Sequence, residues 1–126
     1  MNILLVDDEP LIREALSEFL VDQLTHNVTS CENGTEALKL FKKRPFPMVL
    51  TDIRMPGIDG IELLKSLKAL PHARTTDIVI LTGYGDMETS IEALRSGACE
   101  YLLKPVNVDD LAAVVDRIAE HQSLIQ

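Results

Sequence analysis

Five short apolar runs, each followed by a segment of helix length, constrain the fold of this chain more than any other feature of its sequence. The runs cover residues 3–6, 28–31, 48–52, 78–82 and 101–103. Between them, apolar residues recur at the spacing of a helix with one buried face, as in residues 111–118. A parallel crossover needs a connection long enough for a helix, so alternating strands and helices form a parallel sheet. The pattern predicts an α/β fold, with a doubly wound five-stranded parallel sheet and five helices.

Local signals mark the ends of several helices. Pro10 fits the first turn of a helix that we expect to run to about residue 23. The starts of the second and third helices are predicted by two capping-box patterns, Asn33 with Glu36 and Asp59 with Glu62. The second helix should end before Pro45, and the third near Leu70.

The last two helices follow the fourth and fifth apolar runs. The residues expected in the fourth helix are its cap Asp86, the apolar Met87, Ile91 and Leu94, and the C-terminal cap Gly97. The fifth helix should begin at Asn107 and bury Leu111, Val114, Val115 and Ile118. Residues 119–126 are expected to be a helix end that runs into a possible linker.

The order of the strands in the sheet does not follow from their spacing alone. A flavodoxin-like order of 2-1-3-4-5 is one common solution for such a fold. In that order the ligand crevice lies between the carboxyl ends of the first and third strands. Acidic residues follow both of these strands, which makes this crevice the candidate site.

Length and composition favour one globular domain over residues 1–126. The 126 residues are 46% hydrophobic and 25% charged, as in an ordinary globular protein. No apolar run approaches the roughly 20 residues that span a bilayer, and no leader pattern opens the chain, so we expect a cytoplasmic protein without membrane contact.

A net charge of -8 argues against direct nucleic acid binding. Cys31 and Cys99 are expected to be reduced thiols.

Polar residues follow four of the strands at the point where each strand ends. They are Asp7 and Asp8 after the first, Asp52 on the third, Thr82 on the fourth and Lys104 after the fifth. All should meet at one edge of the sheet. Because clustered carboxylates repel one another, such a group requires a cation or protons. Oxygen ligands with room for water and phosphate oxygens suit Mg²⁺, and the histidines lie elsewhere in the chain.

A carboxylate nucleophile, a hydroxyl, a lysine and a metal ion together form a phosphoryl-transfer set. Such a transfer needs mainly positioning and neutralisation of charge on the transferred oxygens. Mg²⁺ and Lys104 could neutralise that charge from two sides. Asp52 would attack phosphorus and become an acyl phosphate.

The same residues give the chain a specific resemblance to a known family. Over essentially all 126 residues it resembles the receiver domain of two-component response regulators, including the chemotaxis regulators. The motifs that carry the resemblance are Val6-Asp7-Asp8-Glu9-Pro10, Asp52 with Met55-Pro56-Gly57 and Asp59-Gly60, Leu81-Thr82-Gly83, and Tyr101 with Lys104-Pro105.

The resemblance implies a role for each matching position. Asp52 would accept a phosphoryl group from a phosphohistidine of a sensor histidine kinase. Asp7 and Asp8 would be acidic magnesium ligands, and Arg54 would contribute its backbone carbonyl to the metal. Lys104 would contact the phosphoryl group, and its bond to Pro105 is expected to be cis.

The resemblance also implies a switch. A phosphoryl group adds about -1.5 to -2 charges and three strong acceptor oxygens, which would draw Thr82 towards it. Tyr101 would then rotate inward, and the face made by the fourth helix, the fifth strand and the fifth helix would change. This face would serve a downstream effector domain or protein, or a phosphorylation-dependent homodimer. Arg54, Gly83 and Tyr84 would flank the phosphoryl group, and the bulk of Arg54 and Tyr84 should slow its hydrolysis.

Three other functions compete with this interpretation. A phosphohydrolase of the haloacid dehalogenase type needs a DxD pair after the first strand, whereas Asp7 and Asp8 are adjacent. An FMN carrier of the flavodoxin type needs a Ser, Thr and Gly phosphate loop where this chain has acids. A degenerate receiver would act only as a phosphorylation-independent interaction module, and the intact Asp52, Thr82 and Lys104 argue against it.

Overall fold

Five parallel strands form a single sheet in the order β2-β1-β3-β4-β5. The computed structural model of the chain describes residues 1–83 and 87–125, so the predicted cap Asp86, the predicted flanking residue Tyr84 and the side chain of Met87 lie outside the described part. The strands are β1 (Asn2–Val6), β2 (Asn27–Cys31), β3 (Met48–Asp52), β4 (Asp77–Thr82) and β5 (Glu100–Leu103). The α/β fold and the flavodoxin-like strand order are both confirmed.

Five α-helices connect and follow the strands. They are α1 (Pro10–Glu18), α2 (Gly34–Lys43), α3 (Gly60–Lys68), α4 (Met87–Arg95) and α5 (Val108–Ile125). In both predicted capping boxes the hydrogen bond to the N-cap side chain is present. The Asn33 side chain accepts a hydrogen bond from the Glu36 N–H at 2.8 Å, and the Asp59 side chain accepts one from the Glu62 N–H at 2.9 Å.

The structure adds detail to two predicted helix ends and moves a third. The helix after β1 does reach residue 23, but α1 ends at Glu18 and the last five residues, Phe19–Gln23, form a wider π-helical turn. The third helix ends at Lys68, and a short 3-10 turn, Pro71–Ala73, follows. The helical conformation of α5 continues through Ile125, so the helix end expected from residue 119 lies further along the chain.

The core lies on both faces of the sheet. Helices α2, α3 and α4 cover one face with side chains such as Phe41, Leu64 and Ala93. Helices α1 and α5 cover the other with side chains such as Leu16 and Val115. Every residue of β3 is buried, as a central strand with helices on both sides requires. Among the described residues, no helix is both long and apolar enough to cross a membrane.

Helix α4 leaves Ile91 and Leu94, two of the apolar residues expected in it, partly exposed. Ile91 and Leu94 are 43% and 41% exposed, whereas Ser90 and Ala93 are buried. The small side chains of Ser90 and Ala93 let the helix approach the sheet closely. The larger apolar side chains are left on the surface.

Candidate functional site

The ends of β1 and β3 meet at the centre of the sheet. Val6 is paired with Thr51, so the next residues along the two strands, Asp7 and Asp52, are neighbours. Carboxylate oxygens of Asp7, Asp8, Glu9 and Asp52 lie within 4.8 Å of one another. The structure therefore brings together the three acids predicted from the strand ends. It adds Glu9, which the sequence analysis did not include although it directly follows Asp8.

Asp7 is fully buried and held through several of its polar atoms. Its N–H donates to the Cys31 carbonyl oxygen at 3.1 Å, and its Oδ1 accepts from the Glu9 N–H at 2.9 Å. Its carbonyl oxygen accepts a hydrogen bond from Nη1 of Arg13 at 2.7 Å. These bonds fix the turn between β1 and α1, and with it the acidic residues that the turn carries.

Lys104 connects the two strand ends. Its Nζ lies 2.9 Å from Asp52 Oδ2, 3.0 Å from Asp7 Oδ2 and 3.7 Å from Glu9 Oε1. The Lys104 backbone N–H donates to the Thr82 carbonyl oxygen at 2.7 Å, which places the lysine next to the end of β4. The Lys104–Pro105 peptide bond is cis, as the family resemblance implied.

The pKa values of the central pair reflect burial and charge together. Burial raises the pKa of Asp52, although the hydrogen bond and charge of Lys104 act in the opposite direction. For Lys104, burial lowers the pKa, but the hydrogen bonds to Asp52 and Asp7 outweigh it, so the pKa is raised. The contact is therefore an ion pair whose carboxylate is held in surroundings that disfavour its charge.

The donor set of the acidic notch, defined here as Asp7, Asp8, Glu9 and Asp52, fits a small hard cation. It offers four carboxylates close together, and the ammonium group of Lys104 neutralises only part of their charge. Carboxylate oxygens are the ligands that Mg²⁺ prefers, with water completing the coordination. The side chain of Arg54, two residues after Asp52, is exposed, while its backbone N–H hydrogen-bonds the Asp52 carboxylate.

Thr82 and Tyr101 share one face of the sheet. Ile80 is paired with Tyr101 in neighbouring parallel strands, and Thr82 lies two residues after Ile80. Thr82 is 1% exposed, and its hydroxyl donates to the Gly83 carbonyl oxygen at 3.4 Å. Tyr101 is half-buried and packs against the core under α2, α3 and α4. The register therefore puts both side chains on the α4 side of the sheet.

Gly60 brings helix α3 against the end of β3, a contact that the sequence analysis did not identify. A β-carbon at Gly60 would lie 2.7 Å from the Ile53 Cα and closer still to the Asp52 carbonyl oxygen. The Gly60 N–H also donates to the Ile53 carbonyl oxygen at 2.7 Å. The first residue of α3 thus sets the path of the backbone on which Asp52 is carried.

Comparisons with known proteins agree with this fold. The family model described as response regulator receiver domain matches residues 3–116. The chain is 42% identical over 124 residues to the regulatory protein AtoC of Escherichia coli K12, covering 98% of this chain and 26% of AtoC. It is 37% identical over 125 residues to the transcriptional regulatory protein ZraR of Escherichia coli O157:H7, covering 99% of this chain and 28% of ZraR. The chain thus spans about a quarter of the length of these relatives.

Solved structures give the same result. A response regulator receiver domain protein from Clostridium thermocellum is 31% identical with a TM-score of 0.89, and the match covers 99% of this chain and 98% of that one. The receiver domain of NtrX from Brucella abortus is 33% identical with a TM-score of 0.86, covering 94% and 98%. On the family match and these similarities, the chain belongs to the response regulator receiver domains of two-component signalling systems.

Proposed function

We propose that this chain is a phosphorylation-switched signalling domain in which Asp52 accepts a phosphoryl group from a phosphohistidine of a sensor histidine kinase. The observation that carries the proposal is the buried Asp52 carboxylate, 2.9 Å from the Lys104 ammonium group inside a cluster of acids. A carboxylate in this position can act as a nucleophile, and the Lys104 ammonium group can neutralise the negative charge on the transferred group.

The transfer forms one bond and breaks one. A carboxylate oxygen of Asp52 attacks phosphorus, and the bond between phosphorus and the histidine nitrogen breaks with its electron pair remaining on the imidazole. The product is an acyl phosphate on Asp52, and Lys104 turns from the carboxylates towards the phosphoryl oxygens. The surroundings that raise the pKa of Asp52 leave its charge poorly stabilised before the reaction, which favours moving that charge onto the phosphoryl group.

Asp7, Asp8 and Asp52 would hold Mg²⁺, together with the backbone carbonyl of Arg54. The close approach of carboxylate oxygens in the acidic notch supports this assignment. When bound, Mg²⁺ would supply positive charge that neutralises the phosphoryl oxygens. Arg54, Gly83 and Tyr84 would flank the phosphoryl group and restrict the approach of water.

Thr82 and Tyr101 would form the switch. The shared face of these two side chains supports a coupled movement, because Thr82 and Tyr101 lie in neighbouring strands on the same side of the sheet. A phosphoryl oxygen would accept a hydrogen bond from the Thr82 hydroxyl and draw it towards Asp52. Tyr101 is half-buried, so an inward rotation would bury more of its side chain.

The output surface would be the face formed by α4, β5 and α5. Exposed large apolar side chains on these elements support contact with another protein, and among them are Ile91, Leu94, Leu103 and Val108. An effector domain or protein, or a second copy of the phosphorylated chain, would cover them. AtoC and ZraR, named as regulatory proteins, are about four times as long as the matched segment, which favours an effector in the same chain.

The remaining parts of the proposal concern extent and location. Residues 1–126 would form one receiver domain, with the end of α5 leading into a linker. The net charge of -8 favours a domain that acts through proteins and does not bind nucleic acid itself. A cytoplasmic location without membrane attachment fits such a signalling domain.

Incubation with acetyl phosphate and Mg²⁺, followed by intact mass measurement, tests the proposal. We expect the mass to rise by one phosphoryl group, and we expect no adduct with Asp52→Asn or when EDTA removes the metal. Asp59→Asn is the matched control, because Asn caps a helix as well as Asp does and Asp59 lies outside the acidic notch. Its adduct should equal that of the unmodified chain.

The same experiment distinguishes the alternative function. A folded chain that gains no phosphoryl mass in the presence of Mg²⁺ would favour the degenerate receiver, a module that binds its partner without phosphorylation. An adduct that persists in Asp52→Asn would show that another residue accepts the group.

A further inference from the structure

The turn between β1 and α1 is held without the usual helix cap. Glu9 is the N-cap residue of α1, and its side chain makes no capping hydrogen bond. The turn is closed instead by contacts to Asp7, namely the Glu9 N–H on its Oδ1 at 2.9 Å and Arg13 Nη1 on its carbonyl oxygen at 2.7 Å. The second contact is a charge-assisted hydrogen bond, and its length is that of a strong one.

The carbonyl that Arg13 holds belongs to the peptide unit between Asp7 and Asp8. This unit is planar, so fixing the direction of its C=O also fixes the directions of its two α-carbons. The side chains on those α-carbons are the two acids at one side of the acidic notch. Arg13 therefore helps to place the backbone from which both carboxylates extend, although it does not belong to the notch itself.

We propose that Arg13 is a positioning residue for the acidic notch, and that it sets the affinity of the notch for Mg²⁺ by holding the Asp7–Asp8 peptide. This inference rests on the proposed function, because it assigns Mg²⁺ to the notch. Groups that orient metal ligands from outside commonly change metal affinity by about 10–100-fold when they are removed. Asp7 has fewer ways to rearrange than Asp8, because it is fully buried whereas Asp8 is half-buried. Loss of the Arg13 hydrogen bond should therefore lower the Mg²⁺ affinity mainly by displacing Asp8.

The test compares Arg13→Met with Arg13→Lys and with Arg74→Met. Methionine keeps an unbranched aliphatic side chain but has no donor, whereas lysine keeps a cationic donor. Arg74 is exposed and follows the 3-10 turn before the start of β4, at the edge of the sheet opposite the notch. Arg74→Met is thus a matched control for the loss of one arginine charge.

The dissociation constant of Mg²⁺ alone is measured for each chain by isothermal titration calorimetry, and the urea unfolding midpoint is measured in EDTA. We expect Arg13→Met to raise the dissociation constant about tenfold, Arg13→Lys to recover most of the affinity, and Arg74→Met to leave it unchanged. The adduct from acetyl phosphate should form in Arg13→Met at saturating Mg²⁺, because Asp52 and Lys104 are intact.

A purely structural role would lower the unfolding midpoint of Arg13→Met and leave its Mg²⁺ affinity as it was, and that result would overturn the inference. If Arg13→Met shows no cooperative unfolding, Arg13→Gln is used in its place, and an unchanged dissociation constant in this variant overturns the inference equally. An unmodified chain that binds Mg²⁺ but gains no phosphoryl group would reject the proposed function while leaving the Arg13 measurement decisive. An unmodified chain that binds no Mg²⁺ would reject both.

Discussion

Replacing Gly60 by alanine should destabilise the domain because the new methyl group would meet backbone atoms that cannot rotate away. The β-carbon would lie 2.7 Å from the Ile53 Cα, whereas ordinary contact begins at 3.4 Å, so the overlap there is 0.7 Å. It is larger still at the Asp52 carbonyl oxygen. Separating α3 from the end of β3 to relieve the overlap would stretch the 2.7 Å hydrogen bond from the Gly60 N–H to the Ile53 carbonyl.

Gly34 provides a matched control for this substitution. It is the first residue of α2, directly after the cap Asn33, just as Gly60 follows the cap Asp59. Neither glycine has a positive φ, so alanine meets no backbone strain at either position. A β-carbon at Gly34 would lie 3.1 Å from the Cβ and carbonyl oxygen of Ile58, an overlap of 0.3 Å.

The expected magnitude follows from the difference between the two sites. Overpacking costs about 1–3 kcal/mol, and weakening a buried hydrogen bond costs about 1 kcal/mol more. Alanine recovers about 0.5–1 kcal/mol of helix propensity at both positions, so this gain cancels in the comparison. Gly60→Ala should therefore lose about 2 kcal/mol more free energy of unfolding than Gly34→Ala.

Urea unfolding followed by circular dichroism in EDTA measures this difference. The rate of adduct formation with acetyl phosphate should also fall in Gly60→Ala, because the overlap displaces the backbone that carries Asp52. Equal unfolding midpoints for the two variants would refute the argument that close backbone contact at Gly60 positions the end of β3.

Three further predictions concern the charge and reactivity of single side chains. Burial raises the pKa of Asp52. The proton that Asp52 binds therefore stabilises the fold fully at pH values below the ordinary carboxyl pKa, and this stabilisation is lost as the pH rises through the raised pKa. Asp52→Asn should therefore have a higher urea unfolding midpoint than the unmodified chain at neutral pH in EDTA. The difference between the two midpoints should become smaller in acid. A lower midpoint for the variant at neutral pH would contradict this prediction. Burial raises the pKa of Cys99 to about 11 and that of Cys31 to about 12, so both should react slowly with a disulfide reagent at neutral pH, and the exposed Cys99 should react before the buried Cys31. Arg54→Ala should shorten the lifetime of the phosphoryl group in an autodephosphorylation assay. An unchanged rate of phosphoryl loss would show that the Arg54 side chain does not restrict the approach of water.

The sheet and its polar edge could be predicted because both depend on the pattern of apolar and polar residues along the sequence. Apolar runs buried on both faces mark central strands, and parallel strands bring their carboxyl ends to one edge. With the common 2-1-3-4-5 strand order, these two facts predict the meeting of Asp7, Asp8 and Asp52 with Lys104. No knowledge of side-chain packing was needed, which is why the prediction succeeded.

The parts that sequence reasoning missed depend on packing at close range. Periodicity marked Ile91 and Leu94 as the apolar residues of α4, but close approach to the sheet favours the small Ser90 and Ala93 on the buried side. The roles of Arg13 and Gly60 are of the same kind. A long side chain that reaches a carbonyl six residues back, or a missing β-carbon that lets two backbones touch, leaves no periodic signal in the sequence.

The geometry also favours Asp52 over Asp7 as the phosphoacceptor, the same choice that the family resemblance implies. Both contact Lys104 at nearly the same distance, 2.9 and 3.0 Å. A nucleophile must present an oxygen to the incoming phosphorus, and Asp7 has no exposed surface, with Oδ1 held by the Glu9 N–H and Oδ2 by Lys104. Asp52 keeps some side-chain exposure, 9%, and burial raises its pKa despite the neighbouring lysine. We therefore expect Asp52 to react and Asp7 to support the notch, so Asp7→Asn should still gain a phosphoryl group at high Mg²⁺ whereas Asp52→Asn should not.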